Sequence, residues 1–245
     1  SNIFWNAFFT KFFFRPDKQF FFTDKDLKDS SIYLKEKIIF NGERGGYYAW
    51  KPWAILEAAK RSNEGDILIY HDCGKGIKYK NFFRPNNIIE YARLYGSMPG
   101  VLVPQHGRSD KWTHKECFKI MDCDSEEYYS SPQVEASISA WRVDTLSRNF
   151  LEEWLDYCVN LDVIRSVPEH LKMNQKPDFV YHRWDQSILT NLVIKRQLKP
   201  VTLSFEQGYL SKSMMLVDLD LNRRSFIYNW VLKLILKLYV LLKRP

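Results

Sequence analysis

Residues 65–74 read GDILIYHDCG, an apolar run followed at once by polar and small residues. Within it, residues 66–70 predict a buried β-strand, because short apolar runs bounded by turn residues are typical of strands. The preceding segment, 52–61 (PWAILEAAKR), has helical periodicity, with its proline in the first turn, where a missing N–H is tolerated. A helix followed by a buried strand is the alternation of an α/β sheet, so we expect an α/β fold.

Similar signals recur along the chain. Residues 19–23 (QFFFT) form a β-prone run, and 101–104 and 137–143 are further strand candidates. Residues 145–160 predict an amphipathic helix, because their apolar side chains recur every three to four positions. A further helix is expected at 185–194, with an aspartate in its first turn.

Composition limits the class of protein. The chain has 245 residues, with 36 Lys+Arg and 29 Asp+Glu, and a formal net charge of +7. Hydrophobic residues make up 45% and charged residues 27%, which excludes a disordered chain, a fibrous repeat and a protein with many membrane spans. This length suits one sizeable domain, expected at 1–222, with an appendage at 223–245.

The basic character is concentrated in residues 223–245, which hold six basic residues and no acidic one. Residues 1–222 are left with 30 basic and 29 acidic residues, and this balance argues against a nucleic-acid partner for the body. Within 226–242, Lys233 and Lys237 interrupt an apolar sequence and fall on one helical stripe. We expect an amphipathic helix on an anionic membrane surface; the alternative is a helix packed on the core or on another subunit.

The cysteines indicate the compartment. Four cysteines without a CxxC pair are too few for a disulfide-held scaffold and favour a reducing cytoplasm. No cleavable signal peptide is visible in the sequence. Together with the basic tail, these features predict a cytoplasmic protein, peripheral on the inner face of the cell membrane.

Asp72 follows the predicted strand 66–70, and in open α/β sheets ligands bind beyond the carboxyl ends of strands. A carboxylate there can coordinate a divalent cation on a diphosphate, or accept a hydrogen bond from a sugar hydroxyl. The alternative is an aspartate that forms a turn before Gly74.

Three segments carry a resemblance to a bacterial family of glycosyltransferases of the GT-A type: GGYYAWKP (45–52), GDILIYHDCG (65–74) and YHRWDQSIL (181–189). Trp112-Thr113, QVEAS (133–137) and 147–154 lie between them in the expected order, so the resemblance covers about residues 19–210. It implies a GT-A-like fold, with a single Rossmann-type sheet flanked by helices. It also implies transfer of a sugar from a nucleotide-sugar donor to a hydroxyl of a glycan or glycolipid acceptor, in the synthesis of surface polysaccharide or lipopolysaccharide.

The resemblance suggests roles for individual residues. Lys51 can neutralise the donor diphosphate, and Tyr48 and Trp50 can stack on the base or the sugar; the alternatives are a solvated lysine and aromatic core packing. Asp185 is the candidate general base that takes the proton of the acceptor hydroxyl, with a helix N-cap as its structural alternative. Two further residues are candidates for acceptor binding: Glu135 and Gln186.

A divalent cation, Mn²⁺ or Mg²⁺, is the cofactor that such a site can use. Many GT-A enzymes hold it with Asp-x-Asp, whereas this chain has Asp72-Cys73-Gly74 and lacks the second carboxylate. Two alternatives stay open: Asp72 holds the metal with His182 or water, or Asp72 binds the sugar without metal.

Two other functions compete with glycosyl transfer. A sugar nucleotidyltransferase has a similar sheet, but residues 1–40 hold no glycine-rich phosphate loop. A non-catalytic carbohydrate-binding or membrane-associated module would use the aromatic residues and would not require Asp72 and Asp185 in one cleft.

Overall fold

The computed structural model describes residue 11 and residues 16–72 and 85–202. These residues confirm a mixed α/β class. The helices are α1 (Asp24–Lys28), α2 (Ser31–Lys35), α3 (Lys37–Phe40), α4 (Trp50–Lys60), α5 (Pro85–Tyr95), α6 (Lys115–Ile120), α7 (Glu126–Ser130), α8 (Thr145–Cys158), α9 (Leu161–Ile164) and α10 (Asp185–Lys195). The strands are β1 (Ile67–His71), β2 (Ser97–Met98), β3 (Val101–Arg108), β4 (Pro132–Glu135), β5 (Ile138–Arg142) and β6 (Val201–Thr202). Short 3-10 turns cover Ser109–Lys111 and Glu169–Asn174, and Glu43–Gly46 forms a further turn.

The strands of the described residues form two three-stranded sheets. In the first, β1 and β2 both pair antiparallel with β5; in the second, β3 pairs antiparallel with β4 and parallel with β6. The described strands therefore differ from the single Rossmann-type sheet that we expected. The expectation rested on a helix preceding a strand, and that pattern does not determine the direction of the strand's neighbours.

Two short segments connect the sheets. The chain runs from β2 to β3 through residues 99–100 and from β4 to β5 through residues 136–137. The backbones approach closely here, because a Cβ on Gly100 would lie 2.6 Å from the carbonyl oxygen of Glu135. The absence of a side chain at Gly100 thus allows the two crossing segments to pack together.

The main apolar core lies around α8, which packs against both α4 and α10. Trp154 of α8 and Trp141 of β5 are among its largest fully buried side chains. A second, smaller cluster includes Ile88 of α5, Met98 and Ile138. Burial of aromatic side chains supplies much of the stabilisation of such cores, and here α4 packs on β1 of the first sheet while α10 packs on β4 of the second.

Side-chain caps define where several helices begin. Asp144 accepts a hydrogen bond from the N–H of Ser147 at 2.8 Å, which caps α8 and confirms the helix expected from residue 145. The β-prone run 19–23 is not a strand, because Thr23 and Asp26 form a capping box that begins α1 instead. Local capping here outweighs the β-propensity of three phenylalanines.

The remaining expectations about chain organisation concern residues outside the described ones. The basic tail 223–245, Cys73 and Gly74 all fall there. In the part of the chain that is described, no helix has the length and apolar character needed to cross a bilayer.

Gly100→Ala tests the junction between the sheets. We expect a loss of about 3 kcal/mol in the free energy of unfolding, because the new Cβ overlaps a backbone oxygen that cannot rotate away. Gly107→Ala is the control: a Cβ there meets nothing within 4 Å, and its φ of +70° accounts for only about 1 kcal/mol. Equal losses in urea titrations would contradict the proposed close packing.

Candidate active site

Lys51 lies in the first turn of α4, directly after an unusual backbone segment. Residues 44–48 all have positive φ, including Tyr47 at 53° and Tyr48 at 63°. Glycine occupies two of these positions, and a Cβ on Gly46 would lie 2.7 Å from the Cα of Phe40. The left-handed segment reverses the chain and brings the Tyr48 ring to 5.5 Å from the Lys51 Nζ atom.

The Lys51 ammonium group lies between two carboxylates from distant parts of the sequence. Its Nζ atom is 2.8 Å from Asp185 Oδ2 and 3.8 Å from Asp72 Oδ1. The side chains of Lys51 and Asp185 are 7% and 3% exposed, whereas that of Asp72 is 28% exposed. Lys51 and Asp185 thus form a direct and almost fully buried ion pair. We call Lys51, Asp72 and Asp185 the charged triad.

Burial and charge act in opposite directions on these groups. Burial tends to lower the pKa of Lys51, but Asp185 and Asp72 together raise it above its usual value, so the lysine stays charged. Burial raises the pKa of Asp185 to about 6, with Lys51 opposing and Asp72 adding to the increase. With Asp185 ionised the charged triad carries a net charge of about −1, and with Asp185 protonated it is neutral.

Asp72 is held at the end of β1 by two neighbours. Its N–H donates to the carbonyl of Ser137 at 2.9 Å, at the junction between β4 and β5. Its Oδ1 accepts a hydrogen bond from the Tyr70 hydroxyl at 2.6 Å. Because residues two apart in a strand face the same side, β1 itself places Tyr70 against Asp72. Asp72 is thus an oriented, partly exposed carboxylate, and the alternative of a turn before Gly74 lies outside the described residues.

Asp185 is the first residue of α10 and not its N-cap, so the structural alternative we gave for it is wrong. The N-cap is Trp184, which makes no side-chain capping bond and has φ 48° and ψ −122°. This is a backbone region that side-chain-bearing residues rarely adopt. The indole N–H of the buried Trp154 donates to the carbonyl of Asp185 at 3.1 Å and helps to hold the backbone at residues 184–185.

Half-buried aromatic side chains surround the charged triad. The Tyr48 ring makes edge contacts with Trp50 and Trp184, at centroid distances of 6.3 and 5.8 Å. The Trp184 indole N–H donates to Ser166 Oγ at 3.0 Å, and that hydroxyl donates to Glu43 at 2.9 Å. Tyr48 therefore lies beside Lys51, with Trp50 and Trp184 against it, and Trp184 is a residue that the sequence did not single out.

The two expected acceptor-binding residues, Glu135 and Gln186, are both half-buried. Gln186 is half-buried and donates to Gln133 Oε1 at 3.2 Å. Glu135 is half-buried and accepts a hydrogen bond from the Ser137 hydroxyl. The backbone carbonyl of the same serine accepts the N–H of Asp72. Glu135 is thus linked to the charged triad through one residue.

His182 packs against a second histidine, away from these groups. The rings of His114 and His182 are 4.1 Å apart, and the Nδ1 atoms accept backbone N–H groups of Cys117 and His114, at 2.9 and 3.4 Å. Burial lowers the pKa of His114 to about 4 and that of His182 well below its usual range, so both rings are neutral. Within 16–72 and 85–202, no group of three or more His, Cys, Asp or Glu residues is placed to hold a metal ion.

Comparisons of this chain with protein-family models, with curated proteins and with solved structures found no match.

Lys51→Met tests the charge balance of the triad. We expect a loss of about 3 kcal/mol in the free energy of unfolding at pH 8, because Asp185 is then buried without its cation. Loss of Lys51 raises the pKa of Asp185 further, so the carboxyl takes up a proton as the pH falls. The variant should regain stability towards pH 6, since a raised folded-state pKa favours folding at low pH. The double variant Lys51→Met/Asp185→Asn should show no such recovery in urea titrations. A recovery of stability in this double variant would contradict the assignment to Asp185.

The His114–His182 pair predicts an acid-sensitive fold. Because the folded-state pKa of His114 is about 4, the unfolded chain binds more protons as the pH falls below 6.5, and up to about 3 kcal/mol is lost by pH 4. His114→Asn keeps a capping side chain and should reduce this dependence in thermal unfolding between pH 7.5 and 5. The raised pKa of Asp185 increases stability as the pH falls, opposite to the effect of His114. The contribution of His114 is therefore the difference between the pH profiles of the variant and of wild type. Identical pH profiles would refute the role of His114.

Proposed function

We propose that the chain is a glycosyltransferase that moves a sugar from a nucleotide-sugar donor to a hydroxyl of a glycan or glycolipid acceptor. One observation carries the proposal: Asp72 and Asp185, far apart in the sequence, meet at the same lysine beside half-buried aromatic rings. Buried charged groups with shifted pKa values beside exposed aromatic surface are typical of enzyme sites. A GT-A-type arrangement and a place in surface polysaccharide synthesis belong to this proposal through the sequence resemblance.

Asp72 is the residue to which we assign substrate contact, because it is the exposed member of the charged triad. Lys51 and Tyr70 orient its carboxylate, which can accept hydrogen bonds from sugar hydroxyls. A Mn²⁺ or Mg²⁺ ion on Asp72 would draw its other ligands from diphosphate oxygens and water, a mode of binding common for Mg²⁺. One carboxylate suffices for that mode, and the ion would neutralise charge on the leaving diphosphate.

The burial of Asp185 changes the role that we assign to it. Its side chain is 3% exposed, which does not fit direct contact with an acceptor hydroxyl. We assign it the positioning of Lys51, and through Lys51 of Asp72. Glu135 is then the half-buried carboxylate nearest the Asp72 anchor, and acceptor binding is assigned to Glu135 and Gln186.

Membrane attachment is a separate part of the proposal. The basic segment 223–245 would hold the enzyme at the inner face of the cell membrane, close to a lipid-linked acceptor. It is supported by charge and amphipathic pattern alone, and binding of the chain with and without 223–245 to anionic vesicles tests it.

The decisive experiment is a screen of nucleotide sugars for release of nucleoside diphosphate, with Mn²⁺, with Mg²⁺ and with chelator. Asp72→Asn should lower kcat/KM on the active donor by at least about 100-fold, because the variant keeps shape and loses the charge. Asp156→Asn, at an exposed position of α8, is the control and should keep full activity. Turnover by Asp72→Asn at the normal rate would remove Asp72 from the chemistry. Pyrophosphate release from a nucleoside triphosphate and a sugar phosphate would indicate a nucleotidyltransferase, and sugar binding without turnover a non-catalytic module.

A further inference from the structure

Arg183, two residues before Asp185, has an environment unlike that of a surface ion pair. It is half-buried, and its guanidinium carbon lies 4.5 Å from the centroid of the Trp112 ring and 5.7 Å from that of Tyr181. Its backbone N–H donates to the Trp112 carbonyl at 2.9 Å. Two aromatic rings and a backbone bond therefore hold the planar guanidinium in one orientation.

The polar partner of the guanidinium is a neutral ring. Arg183 Nη1 lies 3.0 Å from His106 Nδ1, and since a guanidinium only donates, this histidine nitrogen accepts and the ring proton sits on Nε2. Burial and the charge of Arg183 lower the pKa of His106, with Glu135 opposing. The histidine thus positions Arg183 without compensating its charge.

No carboxylate of the described residues lies within ion-pair distance of Arg183, and its buried Nε atom has no hydrogen-bond partner. Other arginines of the same region differ. Arg108, Arg142, Arg148 and Arg196 each lie within 2.9 Å of a carboxylate oxygen. Arg183 is therefore an oriented cation without an anionic partner in residues 16–72 and 85–202.

Two routes of contacts connect Arg183 with the charged triad. On one side, the Tyr181 ring is 6.3 Å from that of Trp184, which contacts Tyr48 beside Lys51. On the other side, Arg183 contacts His106, on which the charge of Glu135 acts, and Glu135 accepts a hydrogen bond from Ser137, the residue that anchors Asp72. Arg183 is therefore linked through neighbouring side chains to Lys51 and to Asp72.

The charge of Lys51 is already balanced by Asp185 and Asp72, so it is not available to a diphosphate. We propose that Arg183 binds a phosphate group of the substrate through its planar guanidinium, which packs against the Trp112 and Tyr181 rings and has no carboxylate partner among the described residues. This inference rests on the proposed function for the identity of the substrate. Arginine suits phosphate because two parallel N–H groups meet two oxygens at once.

The phosphate has two possible sources in such a reaction: the diphosphate of the nucleotide-sugar donor, or a phosphate carried by a lipid-linked acceptor. Both present the same oxygens to Arg183. The experiment therefore begins with inorganic pyrophosphate, which tests the shared chemistry, and then separates the sources.

Isothermal titration of the full chain with pyrophosphate should give a Kd that rises at least tenfold in Arg183→Gln. The Kd of Arg183→Lys should lie between those of wild type and Arg183→Gln, because lysine keeps the charge and loses the two-point geometry. Arg165→Gln removes an exposed arginine paired with Asp162 and should bind like wild type. Equal affinity of Arg183→Gln and wild type, or no binding by wild type at millimolar pyrophosphate, overturns the inference.

A measurement on the wild-type chain covers the case in which the variants unfold. Pyrophosphate should slow phenylglyoxal modification of Arg183 at least threefold, and leave Arg165 unaffected, in peptide mass spectra. Equal modification with and without pyrophosphate overturns the inference. These readouts need no glycosyl transfer, so failure of the donor screen and failure of phosphate binding are distinguishable.

Binding of nucleoside diphosphates then locates the phosphate. If Arg183→Gln raises the Kd of a nucleoside diphosphate as much as that of pyrophosphate and leaves the Kd of the nucleoside unchanged, Arg183 binds the diphosphate of the donor. If only the KM of a phosphorylated acceptor rises, it serves the acceptor. Either result supports a phosphate-binding Arg183, and no change in any of these constants overturns it.

Discussion

The arrangement of the candidate site depends on one buried cation. Lys51 is almost fully buried, and an unpaired ammonium group there would be too unfavourable to persist. Asp185 and Asp72 compensate it, and in doing so they tie the start of α4 to the start of α10 and to the end of β1. A buried pair of this kind contributes more to a specific arrangement than to net stability, because desolvation offsets much of the attraction.

Backbone strain lies on two sides of that cation. The left-handed segment 44–48 precedes Lys51, and the unusual φ and ψ of Trp184 precede Asp185. Each non-glycine residue in such a conformation costs about 1–3 kcal/mol and persists only where its surroundings enforce it, whereas Gly45 and Gly46 adopt positive φ readily. At Trp184 the enforcing contacts are the indole bond to Ser166 and the ring contact with Tyr48. Strain at both approaches supports the view that the local conformation serves a ligand site.

Local patterns in the sequence predicted individual helices and strands better than they predicted how the strands pair in sheets. The helix from 145 has a capping aspartate and a clear period, so it was predictable, and β1 lies within one residue of the expected strand. The sheet pairing was not predictable, because it depends on contacts between distant segments. The capping box at Thr23 was visible in the sequence and should have outweighed the β-propensity of 19–23.

The site was predictable to a similar degree. The resemblance placed Asp72 and Asp185 in one cleft, and Tyr70 could have been added because it lies two residues before Asp72, near the end of β1. The burial of Asp185 could not be predicted from the sequence, since an aspartate at a helix start is usually exposed.

The close packing at Gly100 restricts which residues the chain can carry where the two sheets meet. Any side chain at position 100 would overlap the backbone of Glu135, and the segment that contains Glu135 continues to Ser137, whose carbonyl accepts the N–H of Asp72. Glycine at position 100 should therefore be retained wherever the carboxylate at position 72 is retained.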